Sequence, residues 1–378
     1  MLGAATLLAA SLVTPADCGR CHVTHFQDWT RSAHAQATQS ALYRTLELLH
    51  RAERVRAGQT DDGQCAGCHG AGDDGVDCES CHAVVEVQQA AGTQGLARMR
   101  RGPTGTFFGP IEKPADARAH RSSGSAIHRD ERICAPCHDH DAAGAPCCTV
   151  LREWRGSEMA DFATCQSCHM RAVGSQKAAR DGPTRSIHRH HFPGSGDLDQ
   201  LRSGWGVELR EASLRGASVQ AVVAVTNRAA HSLPNGEPFG ARVLLRADAV
   251  DEAGRVLASD ERSYGFEMLD DSGAPTVLQS RAVRRGKSTA LAVGETRQER
   301  IGLAAEGARE IIVTMWHVPF ETPAGARGWI DELRGWIAKE KPDWHDRIER
   351  LGPLVEARAR PRLFARVSRS LESAAGDE

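Results

Sequence analysis

Aromatic side chains are scarce in this chain of 378 residues. They make up 5 % of it, with two tyrosines, Tyr43 and Tyr264, which is thin material for the core of a protein this long. Long apolar runs are scarce too. Beyond the N-terminal residues no stretch reaches the ~18 apolar residues that span a bilayer, so membrane association is not required. An excess of either charge is also missing: 47 Lys and Arg against 49 Asp and Glu leave a formal charge of −2, and nothing in that balance points to nucleic acid.

What the chain does have is cysteine in one repeated arrangement. Ten of its 12 cysteines form five CxxCH units: Cys18-Cys21-His22, Cys65-Cys68-His69, Cys78-Cys81-His82, Cys134-Cys137-His138 and Cys165-Cys168-His169. A structural zinc site also favours cysteines at this spacing, but zinc needs no histidine directly after the second one. With 17 histidines in 378 residues, chance would put His there all five times only about two times in ten million. CxxCH is the attachment signature of c-type haem: two thiols on a tight turn form thioethers with the vinyl groups, and the histidine supplies an axial nitrogen. Five covalently attached c-type haems are therefore expected. Their bulk as apolar plates accounts for the missing aromatics. Two units fall within the single stretch Cys65–His82, which predicts that their haems lie side by side.

Covalent haem attachment takes place outside the cytoplasm, so an export signal is expected. Residues 2–13 form a short apolar run of signal-peptide length, and residues 1–17 are assigned to it although no basic residue precedes Arg20. The expected location is periplasmic or extracellular. After the first unit the spacing through Trp29 and Ser32 predicts a helix that ends at His34, an axial candidate for a different haem. His25 is a weaker one, and His50 reads as a surface residue. Residues 39–58 read as an amphipathic helix, with Leu42, Leu46, Leu49 and Val55 on one side.

The CxxCH…Trp…Ser-x-His-Ala pattern of residues 18–35, the GVDCESCH stretch at Gly75–His82 and EWRGSEMADFATCQSCHM at Glu153–Met170 resemble the multihaem cytochrome c group. That group holds the tetrahaem cytochrome c of ammonia oxidation, pentahaem nitrite reductase and octahaem hydroxylamine oxidoreductase. The resemblance covers roughly residues 18–195. It implies closely stacked haems, mostly bis-histidine, with ligands drawn from distant parts of the chain. It makes His120 and His128 distal candidates, His191 a third in the His-Phe-Pro-Gly segment with His188 and His190 close behind, and His231 a fourth in an Asn…His-x-x-Pro-x-Gly loop. His140 lies too close to its own unit to serve well.

Other segments carry weaker signals. Residues 83–133 are rich in Gly, Arg and Pro and read as an irregular loop, whose Arg98, Arg100, Arg101 and Lys113 either meet haem propionates or are simply solvated. Cys147 and Cys148 are left over, as a vicinal disulfide or two buried thiols. From about Trp205 the pattern changes to alternating and β-branched runs. The expected fold is a mainly α and irregular multihaem domain (18–200), an antiparallel, Ig-like β-sandwich (205–320) and helices in the tail (325–372).

His34, His120, His128, His191 and His231 would close all five irons. The expected function is an electron relay between a redox donor and a redox acceptor, and copies of it could assemble into longer arrays. The alternative is an oxidoreductase of small nitrogen compounds such as nitrite, hydroxylamine or nitric oxide, with one open haem. Against it, no unit is the CxxCK variant of the pentahaem nitrite reductases, and tyrosine is too scarce to favour a cross-linked haem.

Overall fold

The computed structural model describes residues 13–56, 65–70, 72–88, 95–115, 117–142, 145–235, 240–276, 281–320, 323–340 and 342–371. The expected export signal lies outside them up to residue 12. The chain divides into two units, one formed by Met1–His140 with Phe162–Pro193 and the other by Asp141–Asp161 with Gly194–Glu378. The sequence placed boundaries near residues 200 and 320. Instead, the segment 141–161 between the fourth and fifth CxxCH units belongs with the C-terminal part.

The first unit is built from short helices joined by turns. Helix Val23–Thr30 follows the first CxxCH unit and buries Asp28 and Trp29. It does not run on to His34: the Ser32 hydroxyl takes the Trp29 carbonyl (2.7 Å) and accepts from the Ala35 amide (3.2 Å), which turns the chain at once. Helix Ala41–Arg56 buries Leu48, Leu49 and Ala52, a face shifted from the expected one. The stretch read as an irregular loop carries two small strand pairs, Val84–Val87 with Met99–Arg101 and the parallel pair Thr106–Gly109 with Arg121–Gly124. Strands of three or four residues are too short for an alternation to register in sequence.

The turn between the second and third CxxCH units is fixed from outside. The Trp29 indole donates to the Val76 carbonyl (2.9 Å), the Val76 amide to the His34 carbonyl (2.9 Å) and the Thr38 hydroxyl to the Gly72 carbonyl (2.7 Å). Gly75 has φ +63°, and a Cβ there would collide with the His34 carbonyl oxygen. Glycine is required because the backbones touch.

The second unit holds most of the aliphatic core. Strands Trp205–Arg215, Ser218–Asn227 and Thr296–Ala304 form one antiparallel sheet with Ser218–Asn227 in the middle. Strands Val256–Tyr264, Arg242–Val250, Glu310–Val318 and Arg362–Ser370 form a second, in that order. Val219, Val223, Val225 and Ile301 of the first join Val243, Leu245, Ile311, Val313 and Met315 of the second in one buried cluster. Fully burying each such side chain contributes about 1.5–3 kcal/mol. Arg369 ties the last strand to the first sheet by donating to the Leu209 (2.6 Å) and Arg210 (3.0 Å) carbonyls.

The tail corrects the expectation of helices over 325–372. Helices Pro323–Glu340 and His345–Arg358 pack together and bury Ile330, Leu333, Ile337, Ile348, Leu351 and Val355, but Arg362–Ser370 is a strand of the second sheet. Arg362, Arg366 and Arg369 interrupt its apolar residues on both faces, so no clear period of two shows in the sequence. Leu354, expected in the apolar stripe, is exposed, and the side chains of Trp329 and Trp336 lie outside the described residues. No helix among the described residues is long and apolar enough to cross a membrane.

Replacing Gly75 with alanine should destabilise the protein by about 2 kcal/mol or more, since the left-handed backbone alone costs an L-residue about 1–2 kcal/mol. Gly72→Ala, at a site where a Cβ meets nothing within 4 Å, should be close to neutral. Thermal melts of the two variants followed by haem absorbance check the contrast.

Candidate haem centres

Each CxxCH unit forms one helical turn that brings its first cysteine, second cysteine and histidine to one side, at i, i+3 and i+4. The histidine amide donates to the carbonyl of the first cysteine at His22 (2.9 Å), His69 (3.0 Å) and His138 (3.0 Å). The third turn starts at Asp77, whose carboxylate accepts from the Ser80 amide (2.7 Å), and the fifth at Thr164, whose hydroxyl accepts from the Ser167 amide (3.3 Å). Both are N-caps encoded in the residue before the motif.

Burial pushes the Cys81 thiol up to about 11. Cys134 and Cys137 are raised as well, by hydrogen bonds to Cys165 and Cys68 and then by burial. Such sites disfavour a thiolate and suit a neutral thioether, which carries no charge into the interior. Three thiol pairs join different units: Cys18 with Cys78, Cys68 with Cys137, and Cys134 with Cys165. The helix Pro15–Gly19 packs on Cys78–His82, and Ala66–His69 on Ala135–His138. Among the described residues these contacts join the first unit to the third and the second to the fourth. The clamped turn at Val76 carries the third unit toward the first.

Three of the five histidines point Nδ1 at a backbone carbonyl: His22 at Ala178 (2.8 Å), His82 at Phe108 (2.7 Å) and His169 at Pro193 (2.7 Å). An Nδ1–H held this way leaves the Nε2 lone pair for a metal. With metal–imidazole bonds of about 2 Å, two imidazoles on opposite sides of one iron have ring centroids about 6 Å apart. His22 and His120 stand 6.2 Å apart, and His34 and His138 stand 6.1 Å apart. His82 has two such neighbours, His190 at 6.1 Å and His128 at 5.4 Å. His190 turns Nδ1 to the His188 carbonyl (3.0 Å) and so keeps Nε2 for a metal, whereas His128 has Nε2 against the Val84 carbonyl (3.2 Å).

Five imidazoles of the first unit are held neutral at physiological pH. Burial, more than the neighbouring imidazoles, pushes His34, His25 and His128 down to about 4, and His138 and His190 down to about 3. Neutral imidazole is the form that ligates.

Sequence reasoning placed His191 ahead of His190. His191 is half-buried, and it is the ring of His190 that lies beside His82. The Arg189 guanidinium grips buried Asp28 with two hydrogen bonds of 2.7 Å, and the His190 amide adds one of 3.2 Å to the same carboxylate. An Asp in an early helix and an Arg inside a histidine run offered no local signal of this pairing. The His25 ring meets His190 edge-on at 4.5 Å. Tyr43 lies 4.5 Å from the His69 ring, whereas Tyr264 is buried in the second unit and donates to Glu299 (2.9 Å).

His231 belongs to the second unit, where its carbonyl accepts from the Asn227 amide (2.9 Å) and its Nδ1 faces the Ser232 carbonyl (3.0 Å). Glu153 of the same unit accepts from the Ser232 amide (2.6 Å). Arg100 and Arg101 are engaged by Glu86 (2.7 Å) and Glu79, and Arg98 by the Gln88 carbonyl (3.0 Å). Cys148 is buried, and the Cys147 side chain lies outside the described residues.

The attachment turns and the histidines gathered around them define a multihaem c-type cytochrome that binds haem c and has a redox role. This chain is related to the group of the tetrahaem cytochrome c of ammonia oxidation, pentahaem nitrite reductase and hydroxylamine oxidoreductase. The family model "Cytochrome c554 and c-prime" matches residues 17–83. Among solved structures, a penta-heme cytochrome c552 from Thermochromatium tepidum shares the fold with a TM-score of 0.70 at 18 % identity, over 95 % of this chain and 98 % of that one. No curated protein matches.

Burial opposes ionisation of Asp28, yet the hydrogen bonds from Arg189 hold its carboxyl below the usual range. Its stabilising contribution is complete above the ordinary carboxylate pKa and is lost as pH falls through the depressed folded value. Asp28→Asn should therefore melt lower than the parent at neutral pH, with the two curves converging in acid. Melting temperatures of both proteins across the acid range check this.

Proposed function

We propose that the chain carries five c-type haems and works outside the cytoplasm as an electron relay between a redox donor and a redox acceptor. The observation that carries this reading is the set of imidazole pairs whose ring centroids stand about 6 Å apart, with His34, His138 and His190 held neutral by burial. When bound, each haem supplies one-electron chemistry; an iron closed by two imidazoles is low-spin and has no position for substrate. In this reading His22 with His120, His82 with His190 and His138 with His34 close three irons, and the backbone carbonyls on Nδ1 orient the rings. The thiol pairs support a compact row in which the fourth unit is the junction, meeting the second and fifth.

A second reading is favoured by Tyr43. The ring that packs on His69 is a phenol at 4.5 Å, too close to stand across an iron. The second haem is thus the candidate for an open site, which would suit a haem oxidoreductase of nitrite, hydroxylamine or nitric oxide.

Haem count by mass and EPR of the oxidised holoprotein test both readings. Five haems and low-spin signals alone support the relay and remove the open site. One high-spin signal that changes on adding nitric oxide supports the second reading, and a count below five overturns the first.

Single replacements locate the ligands. His34→Ala, His120→Ala and His190→Ala should each convert one haem to high spin, and His128→Ala should convert none. His231→Ala tests the remaining candidate: an unchanged low-spin spectrum would strip it of an axial role.

A further inference from the structure

In the first unit, the antiparallel strands Ala172–Lys177 and Thr184–His188 form a hairpin that follows the fifth attachment turn. Ile187 is its buried residue, so the face it shares with Arg185 turns inward, while Lys177, opposite Thr184, turns outward. The Gly182 amide donates to the Ala179 carbonyl (2.9 Å), which closes the tip with Arg180 on it. Arg171, Lys177, Arg180 and Arg185 stand against Asp181 alone. Four cations and one acid give residues 171–188 a formal charge of +3, in a chain whose total is −2. Lys177 and Arg180 are exposed, and among the described residues neither has an ion-pair partner.

The tip is fastened to the first attachment turn. The Arg180 amide donates to the Cys21 carbonyl (2.9 Å), and the Ala178 carbonyl faces Nδ1 of His22 (2.8 Å). Nδ1 is the ring atom turned away from a metal held by Nε2, so the tip stands behind the imidazole. Cys21 belongs to the thioether edge of a haem, and the propionates of that haem leave from the opposite edge. Arg20, inside the attachment turn, is exposed as well, and Val23 close by is 41 % exposed. The acid of this turn, Asp17, is taken up by the Thr14 hydroxyl (2.7 Å). A small apolar spot among cations is the make-up of a transient interface, in which charge speeds the encounter and a small buried area keeps the complex short-lived.

We propose that Arg20, Lys177 and Arg180 form the docking surface for an acidic one-electron redox protein, which reaches the relay through the first haem. The proposal rests on the five-haem relay reading above. When the partner is the donor, its centre is oxidised by one electron as the ferric first haem becomes ferrous, and no proton or group is transferred.

The test mixes oxidised holoprotein with reduced plant-type ferredoxin, an acidic [2Fe–2S] protein, and follows haem reduction by stopped flow at low and high ionic strength. Lys177→Glu with Arg180→Glu reverses the tip. Arg284→Glu with Lys287→Glu makes the same change of net charge at exposed positions of a second-unit strand. Haem count by mass and EPR of each sample test the relay reading by themselves, so its failure shows there and not in the rates. At low ionic strength the tip variant should react about tenfold or more slowly than the parent, with the second-unit variant close to the parent. All three should converge at high salt, where the charges are screened. Equal slowing in both variants, or a parent rate indifferent to salt, would overturn the assignment. So would equal slowing of the tip variant toward an uncharged reduced flavin, which would make the cations part of the haem's own surroundings. Should the reversed tip fail to fold, Lys177→Gln with Arg180→Gln removes the charge alone and should give a smaller loss of the same kind.

Discussion

The first unit depends on keeping imidazoles out of water. A histidine in solvent exchanges protons near neutrality. Burial drives His34, His138 and His190 so far down that each stays neutral with a lone pair to give. Burial alone does not aim a ring. Backbone carbonyls of Phe108, Ala178, Pro193 and His188 do that by accepting from Nδ1. Much of the unit's irregular structure is a way of bringing carbonyls to these positions. The short strand that contains Phe108, for example, faces its carbonyl to His82 while its side chain is buried.

The two units build their interiors differently. The second relies on aliphatic side chains from two antiparallel sheets, with Val, Ile, Leu and Ala at alternate positions. The first has few large buried apolar residues, chiefly Trp29, Leu48, Leu49, Phe108, Ile127 and Ile187, around a group of thiols and imidazoles. Porphyrins that fit those thiols and imidazoles would supply the missing apolar bulk. The scarcity of aromatics thus follows from where the cofactors sit, and the first unit should be less able than the second to hold together without them.

Polar pairs do the long-range placement. Asp28 in an early helix is joined to Arg189, 161 residues later, which sets His190. Trp29 and the loop around His34 clamp the turn at Val76, which moves the third attachment turn to the first. Glu153, from the segment between the last two CxxCH units, holds the amide beside His231. Each is a satisfied buried or half-buried contact whose loss would leave a polar group unmatched, so each constrains more than its net energy suggests.

What the sequence determined by itself was the attachment chemistry. CxxCH is a local motif: both thiols and the imidazole lie within one helical turn, and no distant residue is needed to bring them together. The aliphatic strands were legible for the same reason, since a period of two is written in consecutive residues. The tertiary structure decided the rest. It set the His190 ring beside His82, brought the first unit to the third and the second to the fourth, and made Arg362–Ser370 a strand. Those outcomes rest on contacts between residues far apart in the chain, such as Arg189 with Asp28 and Trp316 with Leu363, and no spacing along a sequence reports which distant groups will meet.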